Sequence, residues 1–258
     1  MPLLGPLFLW TISLLARGRP TITARVTEGP LAGALFELDP RVQADLIVGH
    51  YERGVTAVME RDLSPGDVCF DLGAHFGYFG MVMARLTGPD GVVVCFEPDP
   101  NAASVLEGNL RRNGHLIPGG VRIVPSAIGA RPGRFRFEPG AHSTRGRLVE
   151  SGSMDVEVIT LDEACGRYGE PRLVKIDIEG GEVDALRGGS ELLRRGEATL
   201  VIEIHGPNAS RDCSELLSEH GYDLVRIGEP GRAEEYLIAT PSHPRRPNTG
   251  ATKVAKRP

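Results

Sequence analysis

No two of the four cysteines (Cys69, Cys95, Cys165, Cys213) stand at C-x-x-C spacing, so the sequence offers no close-set zinc or redox motif. Cys69 and Cys95 sit inside apolar runs instead, where a thiol behaves as a small buried hydrophobe. Reduced thiols and a cytoplasmic setting are expected. Net positive charge is also missing: 29 Lys and Arg against 34 Asp and Glu give −5, which offers no basis for a nucleic-acid partner. The apolar N-terminal stretch, residues 3–16, falls short of the roughly 20 residues that span a bilayer. Its positive charges, Arg17 and Arg19, follow it rather than precede it, so it does not read as a secretory signal. A terminal helix packed on the domain or on a second copy, as in a homodimer, is the expectation; contact with a membrane surface is the alternative. No internal repeat is present.

What is there fits one large soluble domain: 258 residues, 41% hydrophobic and 24% charged. Residues 241–258 carry Arg245, Arg246, Lys253, Lys256 and Arg257 and no acid, which leaves the rest of the chain near −10 (−5 less the five tail charges). That segment has too little apolar surface to order itself, so a disordered basic tail is predicted.

From residue 67 onward, apolar runs alternate with helical periodicity. Strands are predicted at 68–72, 92–96, 121–124, 173–177 and 199–204, with helices at 76–86, 101–113 and 183–195. The helix at 101–113 should bury Ala102, Val105, Leu106 and Leu110. Glu97-Pro98-Asp99-Pro100 closes the second strand, because proline cannot continue a ladder. Such alternation is the pattern of a parallel sheet with helices on both faces. Two half-polar strands, 134–137 and 155–160, interrupt it, and 222–227 with 235–239 close it as an antiparallel edge pair. Residues 1–66 read as an N-terminal extension, a helical cap or a substrate or dimer contact, and 67–240 as the catalytic domain.

Asp71-Leu-Gly73-Ala-His75-Phe-Gly77 falls at the carboxyl end of the first strand, where open α/β sheets bind ligands. Gly73 permits a tight turn and Gly77 close packing of the next helix. Glu97, 26 residues after Asp71, is placed to accept both ribose hydroxyls of an adenosine. A dinucleotide site would want G-x-G-x-x-G, and the second glycine is replaced by Ala74-His75. An acid followed two and six residues later by glycine is instead the pattern of S-adenosylmethionine-dependent methyltransferases. His75 stands where many of these enzymes have glycine, and histidine tolerates positive φ better than most residues.

The sequence resembles the FkbM family of methyltransferases. The likeness runs through Gly49-x-Tyr51-Glu52, the stretch from Gly66 to Phe79, Phe96-Glu97-Pro98-Asp99-Pro100 and Asn109-x-x-x-Asn113. It continues through Ala127-Ile128-Gly129, Thr160-Leu161-Asp162, Lys175-Ile-Asp177-Ile-Glu179-Gly-Gly-Glu182, Leu186-Arg187-Gly188 and Glu203-Ile-His205. It implies a Rossmann-like class I α/β fold: a seven-stranded, mostly parallel sheet with helices on both faces and an antiparallel edge strand. It also implies S-adenosylmethionine as cofactor and O-methylation of a sugar or secondary metabolite, hence a small hydroxylated acceptor. On that pattern Asp71, Gly73 and Gly77, with His75 in the same turn, hold the methionine part. Glu97, helped by Asp99, takes the ribose, and Ser126 and Ala127 lie near the adenine. The family usually has asparagine at position 75, so altered contacts to the cofactor are expected there.

Strand alternation places Asp177 with Glu179, and Glu203 with His205, at the ends of neighbouring strands. His205, with an ordinary pKa near 6.5, is the expected general base, and Asp177 is expected either to orient it or to contact the methyl donor. Glu179 and Glu203 complete the candidate catalytic set. Lys175 is expected to be structural, paired with Asp71 or Glu203. Two carboxylates and a histidine invite a metal, since magnesium-dependent O-methyltransferases exist; the family reading requires none, and no metal is assigned. An NAD-dependent oxidoreductase is the first competing function, but no Tyr-x-x-x-Lys pair is present. A non-catalytic adenosine-binding module is the second, against which the polar strand ends argue.

Overall fold

The computed structural model describes residues 21–38, 44–49, 51–140, 146–228 and 235–243. The apolar stretch 3–16 and nearly all of the basic tail lie outside the described residues. Among them no helix is long and apolar enough to cross a membrane.

Strand β3 (Val68–Leu72), β4 (Val92–Phe96), β5 (Gly120–Val124), β10 (Leu173–Ile176) and β11 (Thr199–Ile204) form the parallel part of a seven-stranded sheet. Its order is β12-β13-β11-β10-β3-β4-β5, with β12 spanning Tyr222–Gly228 and β13 spanning Glu235–Pro241. β13 alone runs antiparallel to the rest of the sheet. The central strands are almost wholly apolar because both their faces are covered. One face packs on helices α2 (Arg53–Asp62) and α3 (Tyr78–Thr87); the other packs on α5 (Leu161–Tyr168), α6 (Glu182–Arg187), α7 (Ser190–Arg195) and α8 (Pro207–Glu219).

The predicted helix over 183–195 is in fact two, α6 and α7, broken at Gly188-Gly189. A Cβ at Gly188 would come within 2.2 Å of the Gly129 carbonyl, so the chain bends where another backbone crosses it. Asp162 then accepts from the Glu191 and Leu192 amides and caps α7.

The extension before residue 67 is not purely helical. It opens with a hairpin, β1 (Ile22–Arg25) and β2 (Leu35–Leu38), followed by the short α1 (Ala44–Ile47) and by α2. Buried Asn113, just past α4 (Pro100–Arg112), accepts from the Leu35 amide and donates to the Leu35 carbonyl, both at 2.8 Å. Asn109 donates to the Phe76 carbonyl at 3.0 Å. These two asparagines occupy the buried face of α4 beside Ala102 and Leu106, which leaves Val105 exposed, contrary to the sequence expectation. A second sheet, β6-β9-β7-β8, is built from β6 (Ser126–Ile128), β7 (Gly133–Glu138), β8 (Arg147–Leu148) and β9 (Met154–Ile159).

Candidate active site

At the carboxyl edge of the parallel strands a cleft of about 1640 Å³ opens between the main sheet, the extension and the second sheet. On its first wall the turn after β3 runs through the left-handed region: Gly73 at φ 80, His75 at φ 47 and Gly77 at φ 88. A Cβ on Gly73 would fall 1.9 Å from the Asp177 carbonyl, so only glycine fits where this turn meets the end of β10. His75 does accept a positive φ, as its residue type allows. Burial lowers its imidazole pKa below the ordinary value.

This turn helps to hold the Glu97 carboxylate by both oxygens. The His75 amide donates to one Glu97 oxygen at 2.8 Å and the Asp99 amide to the other at 2.9 Å. Each carboxylate oxygen keeps a second lone pair for a ligand. Burial, only partly offset by these amides, pushes Glu97 up to about 7. Burial likewise raises Asp71 to about 6, and its Oδ1 meets no donor. Asp99 caps α4 through the Asn101 amide. Ser126 and Ala127 line the cleft from β6. Gly77 is not part of the lining; a Cβ there would strike Leu106 at 2.1 Å, so it serves the packing of α3 on α4.

The ends of β10 and β11 gather the remaining polar residues. Lys175, 3% exposed along its side chain, bonds Asp177 at 2.9 Å and lies over the Phe79 ring. Asp177, rather than Asp71 or Glu203, is its ion-pair partner, because residues two apart on one strand share a side. Burial opposes ionisation of both, and their mutual attraction outweighs it, raising Lys175 and lowering Asp177. His205 Nε2 lies 3.5 Å from Glu179, 3.6 Å from Glu203 and 3.9 Å from Asp177. Its Nδ1 meets Glu182, wholly buried, at 2.7 Å.

Burial acts to lower the His205 pKa, but the Glu182 hydrogen bond and the charges of Glu179 and Asp177 overcome it and drive the pKa up. The ordinary value that made His205 the expected base therefore does not hold. Glu182, not Asp177, orients the ring. Glu203 is raised, first by burial and then by Asp177, and the Tyr236 hydroxyl donates to it at 3.3 Å. Sequence reasoning gave no role to Glu182 or to Glu52, which lines the cleft from the extension at φ 43. Both stand within the quoted family segments, and that is the one signal that marked them.

A sheet of this order with a glycine turn after its first strand and an acid at the end of its second defines a class I methyltransferase. Residues 71–224 match the Methyltransferase FkbM domain, and the chain belongs to that family. Its cofactor is S-adenosylmethionine. The hexuronic acid methyltransferase AglP of Haloferax volcanii is 27% identical over 191 residues, 72% of this chain and 76% of the relative. The 31-O-demethyl-FK506 methyltransferase FkbM of Streptomyces tacrolimicus is 27% identical over 206 residues, 66% and 77% of the two chains. The crystal structure of the FkbM methyltransferase of Methylobacillus flagellatus KT shares the fold, with a TM-score of 0.54 at 19% identity. That match covers 69% of this chain and 44% of the other, so this chain spans less than half of that protein.

Proposed function

We propose that this chain methylates a hydroxyl group of a sugar or a sugar-like metabolite. One observation carries the reading: the Glu97 clamp and the Asp177, Glu203 and His205 cluster line the same cleft. The names of the relatives, a hexuronic acid and a 31-O-demethyl-FK506 methyltransferase, support a hydroxylated small acceptor. Four buried free thiols support a reducing, cytoplasmic setting. The many acids of the cleft disfavour a nucleic-acid acceptor.

S-adenosylmethionine supplies an electrophilic methyl carbon on a sulfonium. Asp71, Gly73 and His75 would hold its amino-acid end, Glu97 its ribose, and Ser126 with Ala127 its adenine. The donorless Asp71 Oδ1 and the paired lone pairs of Glu97 fit that ligand. Transfer to oxygen is an in-line displacement: the C–O bond forms as the S–C bond breaks, and the hydroxyl proton leaves. Positioning of the acceptor contributes most, about 7–11 kcal/mol. A carboxylate of the Asp177, Glu179 and Glu203 group takes the proton. Phe135, Phe137 and Arg147 of the second sheet line the cleft and would wall its acceptor side.

Mass spectrometry after incubation with S-adenosylmethionine and a panel of hexoses, hexuronates and macrolides tests this. A gain of one methylene mass, resistant to mild alkali, is expected on a hydroxylated acceptor. Alkali-labile methylation of a carboxyl group would refute the hydroxyl reading.

A further inference from the structure

The two nitrogens of His205 meet their neighbours in different ways. Nδ1 makes one short hydrogen bond, 2.7 Å, to Glu182. Nε2 makes none: three carboxylate oxygens surround it at 3.5, 3.6 and 3.9 Å, beyond hydrogen-bond range. A single charge-assisted hydrogen bond would hold one oxygen near ~2.8 Å and leave the others farther off. Near-equal spacing is instead what donors show when they share an ion. Ligand bonds of about 2.0–2.2 Å place tetrahedral neighbours about 3.3–3.6 Å apart.

We infer that Asp177, Glu203 and His205 form a binding site for a divalent transition-metal ion, with Glu179 as a further donor. The three ligand atoms lie within 4.8 Å of one another, on the ends of β10 and β11. Glu182 supplies an independent sign. It is fully buried, and a buried carboxylate that takes Nδ1–H leaves the Nε2 lone pair outward, the arrangement that sets a metal-bound histidine. Glu52 supplies a second: 5% exposed, it lines the same cleft, and although Tyr51 and Tyr236 bond its carboxylate, its Oε2 meets no donor. Lys175 occupies the Asp177 oxygen Oδ2, and the oxygen facing His205 is the other, Oδ1. One imidazole with carboxylates suits Mn²⁺, Fe²⁺ or Zn²⁺ better than Mg²⁺, which favours oxygen alone.

The ion's role rests on the methyltransferase reading above: it would ligate the acceptor hydroxyl and make its proton more acidic, so that a neighbouring carboxylate removes it as the C–O bond forms. Its binding does not rest on that reading.

The test uses the full chain, stripped with a chelator and titrated with Mn²⁺ by calorimetry and by electron paramagnetic resonance. S-adenosylhomocysteine binding is measured in parallel as a check on the folded cofactor site. One equivalent of Mn²⁺ is expected on the wild type. Glu182→Gln should weaken it ~10–100-fold, and His205→Ala and Glu203→Gln at least as much, with S-adenosylhomocysteine still bound. Absence of stoichiometric Mn²⁺ binding by a wild type that binds S-adenosylhomocysteine overturns the inference. So does binding that His205→Ala leaves unchanged, and displacement by equimolar Mg²⁺ overturns the choice of a transition metal. A protein that binds Mn²⁺ but not S-adenosylhomocysteine would uphold the site and sink the proposed function.

Discussion

Lys175 and Asp177, at the end of β10, form a 2.9 Å ion pair in which the lysine side chain is 3% exposed and the aspartate 27%. The pair lies beside the Gly73 turn, and Asp177 also belongs to the cluster with Glu203 and His205. Removing the ammonium leaves Asp177 among Glu52, Asp71 and Glu203 without its compensating charge. Lys175→Met is expected to cost about 3 kcal/mol, the lower end for breaking a buried pair, because Asp177 reaches solvent. Urea unfolding gives the number, and a loss below about 1 kcal/mol would show that water already screens the pair.

Two glycines with positive φ separate strain from collision. Gly66, at φ 88, has open space where a Cβ would stand, whereas at Gly73, φ 80, the Asp177 carbonyl lies 1.9 Å away. Gly66→Ala should cost about 1–2 kcal/mol from the left-handed backbone alone. Gly73→Ala adds about 1–3 kcal/mol of overpacking and should weaken S-adenosylhomocysteine binding more than tenfold. Equal stability losses in the two variants would contradict the close approach.

Glu97 links stability to pH. Its pKa rises from 4.5 to about 7 on folding. Between those values the folded chain keeps a proton that the unfolded chain releases, so stability falls as pH rises. The contribution is complete below 4.5 and lost once pH passes about 7, at most about 3 kcal/mol. In melts of the ligand-free protein at pH 5 and pH 8, Glu97→Gln should flatten this slope. Cofactor affinity should move the other way, tightening as Glu97 ionises to accept the ribose hydroxyls. A pH-independent difference between wild type and variant rejects the assignment.

Asn113 ties the hairpin to α4 through both polar groups of Leu35. Asn113→Ala strands that amide and carbonyl, at about 1–3 kcal/mol for each group left unpaired. Limited proteolysis should then cut first within residues 21–38. Cleavage unchanged from wild type would mean that β2 holds its place by apolar packing alone.

Much of this architecture is legible in the residues. β4 and β11 fall on their predicted bounds because β-branched runs closed by proline or glycine leave few alternatives. The left-handed turn at Gly73, His75 and Gly77 follows from residue types that tolerate positive φ. The single helix expected at 183–195 failed at Gly188-Gly189, since what breaks it is the Gly129 backbone, about 60 residues away in the chain. The β1–β2 hairpin went unread because its four-residue strands carry too short an alternation to stand out.

By itself the sequence determined which acids end which strands and where the left-handed turn after the first sheet strand lies, because strand period, proline and glycine act over a few residues. Only the tertiary structure decided what those acids do. Glu182 and Glu203 converge on one imidazole from α6 and β11, and burial there strengthens every charge. That convergence raises His205 above its ordinary pKa, turns Nε2 toward three carboxylates and fixes Nδ1 on a fourth. The strength of a charge depends on what surrounds it in space, and a linear order of residues does not contain that distance.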